Sequence, residues 1–375
     1  MLATLSSSGK FQSSNSGCRC SGAAGRRPCV IHENAAKHCA VVLSLHVHIF
    51  SADSENLMGA LASRISNGVL GKMACLPPQH ASYDLRGTMF TLCESVRREG
   101  VGEQTTTCKL AMRWYIHSTG GILNTSNRQM IENSNSQITI LFSHGNAVDA
   151  GQCHEYCSEL AALSGCNVVI WDYHSYGLSD KHAFCEQNLY RGIKAVLTTI
   201  SEYVPTHSIF LFGKSLGSVP TIWLAAQCDT MCSGVILMSP LASGARTFCN
   251  LNGMPSTITH WMDGMFADSI ERVCMIRRPV MIVHGTEDEI VPVQNALDLY
   301  AQLPEIDECD GLNKDVYSNM CLSGRTIIGS KNTCGRHRLL LLTAGHNDIE
   351  ILYGSQYICE LLQFVHSNVT SDSDI

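Results

Sequence analysis

The chain has 375 residues, 45% of them hydrophobic and 16% charged, with a formal net charge of −7. That balance supports a large buried core and excludes a disordered chain, and 30 Gly with 10 Pro exclude a collagen-like one. The negative charge argues against a general nucleic-acid binder, although residues 1–75 carry seven Lys and Arg against three Asp and Glu, a basic head on an acidic body.

The 19 cysteines run from Cys18 to Cys359 without a Cys-x-x-Cys pair. With an odd count and no standard secretory signal, mostly reduced thiols in a cytosolic compartment are expected. Residues 1–57 are rich in Ser, Gly and Cys and lack a sustained period, so they read as disordered or as lying outside the working protein. Cys18, Cys20, Cys29, His32, His38 and Cys39 fit no zinc-finger spacing, and no metal is expected there. The apolar run from Ala40 to Phe50 is too short to span a bilayer and is interrupted by His46 and His48, so no transmembrane segment is expected.

From about Asn67 the pattern tightens. Apolar runs at Ile138–Ser143, Asn167–Tyr173, Ser208–Gly213, Gly234–Ser239, Pro279–His284 and Arg338–Thr343 predict strands buried on both faces. Helical spacing predicts helices at Asp149–Leu163, Cys185–Tyr203, Leu216–Gln227, Val293–Ala301 and Asp348–His366. Their alternation predicts an α/β fold, a doubly wound and mostly parallel sheet with helices on both faces, in one domain over 67–368 with a minimal cap between Leu241 and Ile276. Residues 1–66 are then an extension and 369–375 a disordered tail. Pro304–Arg336 breaks the rhythm and reads as a long surface insertion able to act as a lid. Cys153 and Cys157, spaced i, i+4 on a predicted helix, read as packed reduced thiols rather than metal ligands.

Gly213-Lys214-Ser215-Leu216-Gly217 follows a strand and opens a helix. A nucleophile elbow needs that order: the sharp turn holds the serine hydroxyl above the sheet, and the helix N-terminus adds donors where negative charge develops. The bland alternative is a glycine-rich turn capped by Ser215. A base and an orienting carboxylate should follow in the order Ser, acid, His. Asp288 lies just past the strand Pro279–His284 and His346 just past Arg338–Thr343. Glu287 and Glu289 compete for the acid role, and each carboxylate could instead cap a helix. Ser143-His144-Gly145-Asn146-Ala147 ends another strand with small residues. The oxyanion hole is assigned to the backbone N–H groups of Leu216 and Asn146, with Ala147 the runner-up for the second donor.

These motifs together, Ser143–Asp149, Gly213–Thr221, Ser239–Gly244, His284–Glu289 and Ala344–Glu350, resemble the alpha/beta-hydrolase domain-containing protein 17 family. Ala74–Pro78 and Gln187–Tyr190 also fit, and the resemblance runs from about Asn67 to His366. It implies an α/β-hydrolase fold and membrane-associated serine hydrolases that remove palmitoyl groups from protein cysteines, with Ser215 as nucleophile, Asp288 as orienter, His346 as base, and no metal or organic cofactor. S-acylated membrane proteins are then the expected substrates, on the cytoplasmic side of membranes, with no nucleic-acid partner.

Four departures stand out. The family's Asp-Tyr-Ser-Gly-Tyr-Gly becomes Asp172-Tyr173-His174-Ser175-Tyr176-Gly177, and Lys214 replaces a polar neutral residue. The acid-to-base spacing of 58 residues is long, which the insertion explains. The family's N-terminal cysteine cluster is not recognisable, but Met58-Gly59-Ala60-Leu61-Ala62-Ser63 matches an N-myristoylation pattern, so translation from Met58 would expose Gly59 as a lipid anchor to the membrane surface. Fold and triad do not choose among thioester, lipid ester and short peptide bond. A carboxylesterase or lipase is the alternative enzyme. A catalytically inactive hydrolase-fold scaffold is the non-enzymatic one, disfavoured by an intact Ser–Asp–His order.

Overall fold

The computed structural model describes residues 75–99, 102–117, 122, 138–182, 185–227, 232–248, 256–264, 266–304, 326–329 and 337–369. The readings of residues 1–66, Gly59 and the N-terminal Cys/His cluster included, lie outside the described residues, as do most of the 304–336 insertion with its lid role and the tail from 370.

The described strands are β1 (Met89–Glu99), β2 (Gly102–Tyr115), β3 (Thr139–Ser143), β4 (Asn167–Trp171), β5 (Ile209–Lys214), β6 (Gly234–Met238), β7 (Val280–Gly285), β8 (Thr326–Gly329) and β9 (Arg338–Leu342). They form one sheet in the order β1-β2-β4-β3-β5-β6-β7-β9-β8. Strands β4, β3, β5, β6, β7 and β9 are parallel, and the β1–β2 hairpin and β8 add antiparallel edges. The helices are α1 (His154–Ser164), α2 (Glu186–Ile200), α3 (Ser218–Gln227), α4 (Gly244–Phe248), α5 (Ser256–Asp263), α6 (Ser269–Val273), α7 (Gln294–Gln302) and α8 (Ile349–Ser367). This is the doubly wound α/β-hydrolase architecture the sequence leads one to expect, with α4–α6 as the cap. No helix among the described residues is long and apolar enough to cross a membrane.

Alternation along each parallel strand feeds two cores. In β5, Ile209 and Leu211 pack with residues of α2, α3, α6 and α7, whereas Phe210 and Phe212 pack with α1 and α8. Every second side chain crosses to the other face, so a strand covered on both sides is apolar throughout. Burying one such side chain contributes about 1.5–3 kcal/mol, which anchors the strand whose end carries Ser215.

The hairpin β1–β2 was not anticipated, and its side chains explain why. Thr91, Cys93 and Ser95 face inward while Phe90 and Leu92 are exposed, at 40% and 65%. Thr91 bonds Thr199 of α2 through the two hydroxyls at 2.7 Å, and the Asn188 side chain of α2 bonds both the N–H and C=O of Val96. The usual apolar-in, polar-out alternation is reversed here. Within the 304–336 insertion, Thr326–Gly329 forms a strand that pairs with β9 at the edge of the sheet.

Strand β3 has β4 on one side and β5 on the other, and the chain leaves it in opposite directions. At such a switch point the loops after the two strands part and leave a crevice. The elbow after β5 and the loop after β3 both border it.

Candidate active site

Ser215 directly follows β5 and takes φ +51°, in the left-handed region that non-glycine residues rarely occupy. The chain then makes a short 3-10 turn, Ser215–Gly217, and enters α3. The turn is pressed against the end of β3: a Cβ on Gly217 would lie 2.0 Å from the Ser143 carbonyl oxygen, so glycine is required there. Ser218 Oγ donates to the Ser215 carbonyl at 2.7 Å and accepts the Leu241 N–H at 3.0 Å, fixing the turn to the cap. The hydroxyl-bearing residue is left 8% exposed.

The other two predicted residues meet it. His346 Nε2 lies 3.0 Å from Ser215 Oγ, and His346 Nδ1 lies 2.7 Å from Asp288 Oδ2. Asp288 Oδ1 accepts the N–H groups of Ile290 and Val291 at 2.9 and 2.8 Å. Burial works to raise the Asp288 carboxyl, but the nearby His284 ring N–H, the hydrogen bond from His346 and the Val291 N–H outweigh it and hold it well below the ordinary value of 3.8. An ionised carboxylate only accepts, so Nδ1 carries the proton and Nε2 is the acceptor facing the serine. Glu287 and Glu289 are exposed, which removes them as competitors. His284, which sequence reasoning did not single out, is buried beneath the acid. Its Nε2 donates to the Val291 carbonyl at 2.9 Å and sits 3.4 Å from Asp288 Oδ2.

The loop after β3 folds against the serine, with Gly145 placed so that a Cβ would lie 3.7 Å from that of Ser215. Asn146 Oδ1 accepts three donors: the Leu76 N–H at 2.8 Å, the Ala147 N–H at 2.9 Å and the Tyr176 hydroxyl at 2.7 Å. The Ala147 N–H is therefore engaged, which removes it as the second oxyanion donor.

Supporting residues come from segments far apart in the chain. Ser82 donates to the Asp149 carboxylate through both its N–H and its hydroxyl, and Tyr83 donates to Asp172 Oδ2. Asp172 Oδ1 accepts the Ala150 N–H at 2.9 Å and lies 3.2 Å from His144 Nε2, off line for a hydrogen bond. The Tyr173 hydroxyl donates to the His144 carbonyl at 2.5 Å. Residues 75–83 thus strap the loops after β3 and β4 in place. In the altered 172–177 loop, Ser175 adopts φ +69°, which a glycine would take freely, and its Oγ bonds both the N–H and C=O of His182.

Among the described residues no group of three or more His, Cys, Asp and Glu is arranged to hold a metal ion. Cys153 and Cys157 are free thiols. The site's equipment is a hydrogen-bonded hydroxyl–imidazole–carboxylate chain beside a helix N-terminus, suited to nucleophilic acyl transfer.

A family model described as serine aminopeptidase, S33, matches residues 134–272. An esterase from Pyrococcus furiosus aligns with a TM-score of 0.50 over 79% of this chain and 100% of its own, and at 13% identity that likeness concerns the fold alone. The chain is 34% identical over 232 residues to alpha/beta hydrolase domain-containing protein 17C of Homo sapiens, covering 61% of this chain and 58% of that protein. It spans about six-tenths of the length of the 17C relatives it matches. To protein 17B of Homo sapiens it is 33% identical over 241 residues, 63% of this chain and 69% of the relative. On that extent of shared sequence, the chain belongs to the alpha/beta hydrolase domain-containing protein 17 family.

Proposed function

We propose that the protein is a serine acyl hydrolase that removes palmitoyl groups from S-acylated cysteines of membrane proteins. The observation that carries the reading is the unbroken hydrogen-bond chain from Ser215 through His346 to Asp288. Ser215 Oγ attacks the thioester carbonyl while His346 Nε2 takes its proton, and Asp288 stabilises the resulting imidazolium. The backbone N–H groups of Leu216 and Asn146 receive the oxyanion; one such donor is worth about 10²–10³ in rate. Collapse breaks the carbon–sulfur bond, and the thiolate takes the proton back from His346. Water, deprotonated by the same imidazole, then attacks the acyl-serine and releases palmitate and free Ser215. The thioester substrate class rests on the family, and no cofactor enters the scheme. Acylation at Gly59 would hold the enzyme at the cytoplasmic membrane surface, although one myristoyl chain binds only marginally.

Fluorophosphonate labelling, with Ser215→Ala as control, tests the nucleophile, and absence of labelling would favour the scaffold. Palmitate release from an S-palmitoylated peptide, set against a monoacylglycerol of equal chain length, tests the substrate. Preference for the oxyester would make the protein a carboxylesterase or lipase.

A further inference from the structure

Lys214 is the last residue of β5, immediately before the nucleophile, and Glu350 lies in the first turn of α8, four residues after His346. Lys214 Nζ donates to Glu350 Oε1. Both side chains are largely buried, 17% and 20% exposed, and Glu350 Oε2 is buried with no hydrogen-bond partner among the described residues. A pair so withdrawn from water is screened far less than a surface pair. Three groups that feel Glu350 stay protonated: burial above all pushes the Tyr156 and Tyr357 phenols and the Cys153 thiol up, and at Cys153 the Asp172 charge adds to this while Lys214 opposes it.

The backbone shows what the pair would hold. Tyr353, at φ −127° and ψ 18°, breaks the helical path of α8 just after its first turn. Within that turn Ile351 and Leu352 are exposed at 81% and 60%, so Ile349 is its buried apolar anchor. The loop that presents His346 runs directly into this turn and is closed on itself by the Gly345 N–H to Asp348 Oδ2 at 3.2 Å. Ser215 and His346, 131 residues apart, reach each other through a single hydrogen bond, and the Lys214–Glu350 pair joins the same two segments again on the α1–α8 side of the sheet. Two points of attachment fix a relative rotation that one leaves free.

We propose that Lys214 and Glu350 are positioning residues whose ion pair fastens the first turn of α8 to the end of β5 and so keeps His346 within proton-sharing distance of Ser215. This rests on the serine-hydrolase reading. It is specific to this chain, since the resemblance gives the family a neutral polar residue in place of Lys214.

The test uses the full chain with a soluble chromogenic short-chain acyl ester. Lys214→Met and Glu350→Gln are each expected to lower kcat about tenfold or more with KM within about twofold, since small misplacements of a base are costly. Lys214→Arg should keep kcat within about threefold of wild type, and so should the charge-swapped Lys214→Glu/Glu350→Lys double variant. The pH profile separates positioning from simple destabilisation. An unpaired carboxylate in Lys214→Met favours protonated His346 and moves the acid limb of kcat/KM to higher pH, while an unpaired ammonium in Glu350→Gln moves it lower. The doubly neutral Lys214→Met/Glu350→Gln should restore the limb but not kcat. Single variants with unchanged kcat and limb, even at a lowered melting temperature, would overturn the positioning role while wild-type labelling at Ser215 keeps the hydrolase reading. Wild-type protein inert to both ester and fluorophosphonate would overturn both.

Discussion

Replacing Asp288 by Asn isolates the contribution of a single charge. The amide oxygen can still accept the Ile290 and Val291 N–H groups that Oδ1 now holds at 2.9 and 2.8 Å, so the loop keeps its backbone partners. The amide nitrogen then takes the place of Oδ2, which receives His346 Nδ1 at 2.7 Å. Two donors cannot face each other, so the imidazole proton moves to Nε2, where Ser215 needs an acceptor. The general base is lost with the site's shape intact. We expect kcat to fall about 10⁴-fold, about 5 kcal/mol of transition-state stabilisation. Stability should respond to pH as well. Because the folded carboxyl titrates below its ordinary value of 3.8, its stabilisation is present above that pH and lost as pH falls through the folded value. The wild-type advantage in unfolding free energy over Asp288→Asn should therefore shrink between about pH 7 and about pH 3. Ester hydrolysis and fluorophosphonate labelling rates, with denaturant unfolding at both pH values, are the assays. A variant within tenfold of wild-type kcat would show that His346 is not oriented by this carboxylate.

Gly217→Ala would drive a Cβ to 2.0 Å from the Ser143 carbonyl oxygen, and thermal unfolding should show a loss of about 2–4 kcal/mol together with loss of labelling at Ser215. Asn146→Ala releases three donors at once, and kcat/KM should fall about 10- to 100-fold; an unchanged value would mean that the loop is held otherwise. His174 is buried, which lowers its pKa to about 4 from 6.5. Between those values the unfolded chain binds the extra proton, so stability falls as the pH drops, by up to about 3 kcal/mol. His174→Gln should flatten that part of the pH–stability curve, and an unaltered curve would place the acid sensitivity elsewhere.

The parallel strands were legible because coverage on both faces leaves continuous apolar runs such as Ile209–Phe212. The three residues of the chain from Ser215 to Asp288 were legible because each sits just past a strand end, in a fixed order. Asp288 could not be told from Glu287 and Glu289 on residue type alone; burial makes the distinction, and a single sequence does not display it at a loop. The hairpin was hidden by its reversed polarity, with Thr91, Cys93 and Ser95 inside and Leu92 outside. The supporting bonds were hidden by distance: Leu76 reaches Asn146 across 70 residues, and Tyr83 reaches Asp172 across 89. Lys214 was visible as a departure, but its partner, 136 residues on, was not.

The attachments made by Leu76, Ser82 and Tyr83 separate two meanings of where this protein starts. A fragment cut at Thr88 would retain every strand and helix described, and a map of regular structure would count it whole. It would nevertheless lack donors that Asn146, Asp149 and Asp172 use, so its loops would be released at the very edge that holds Ser215. Anyone trimming the protein for expression or crystallisation should set the left-hand boundary ahead of Cys75, by the needs of the crevice loops and not by the onset of the sheet.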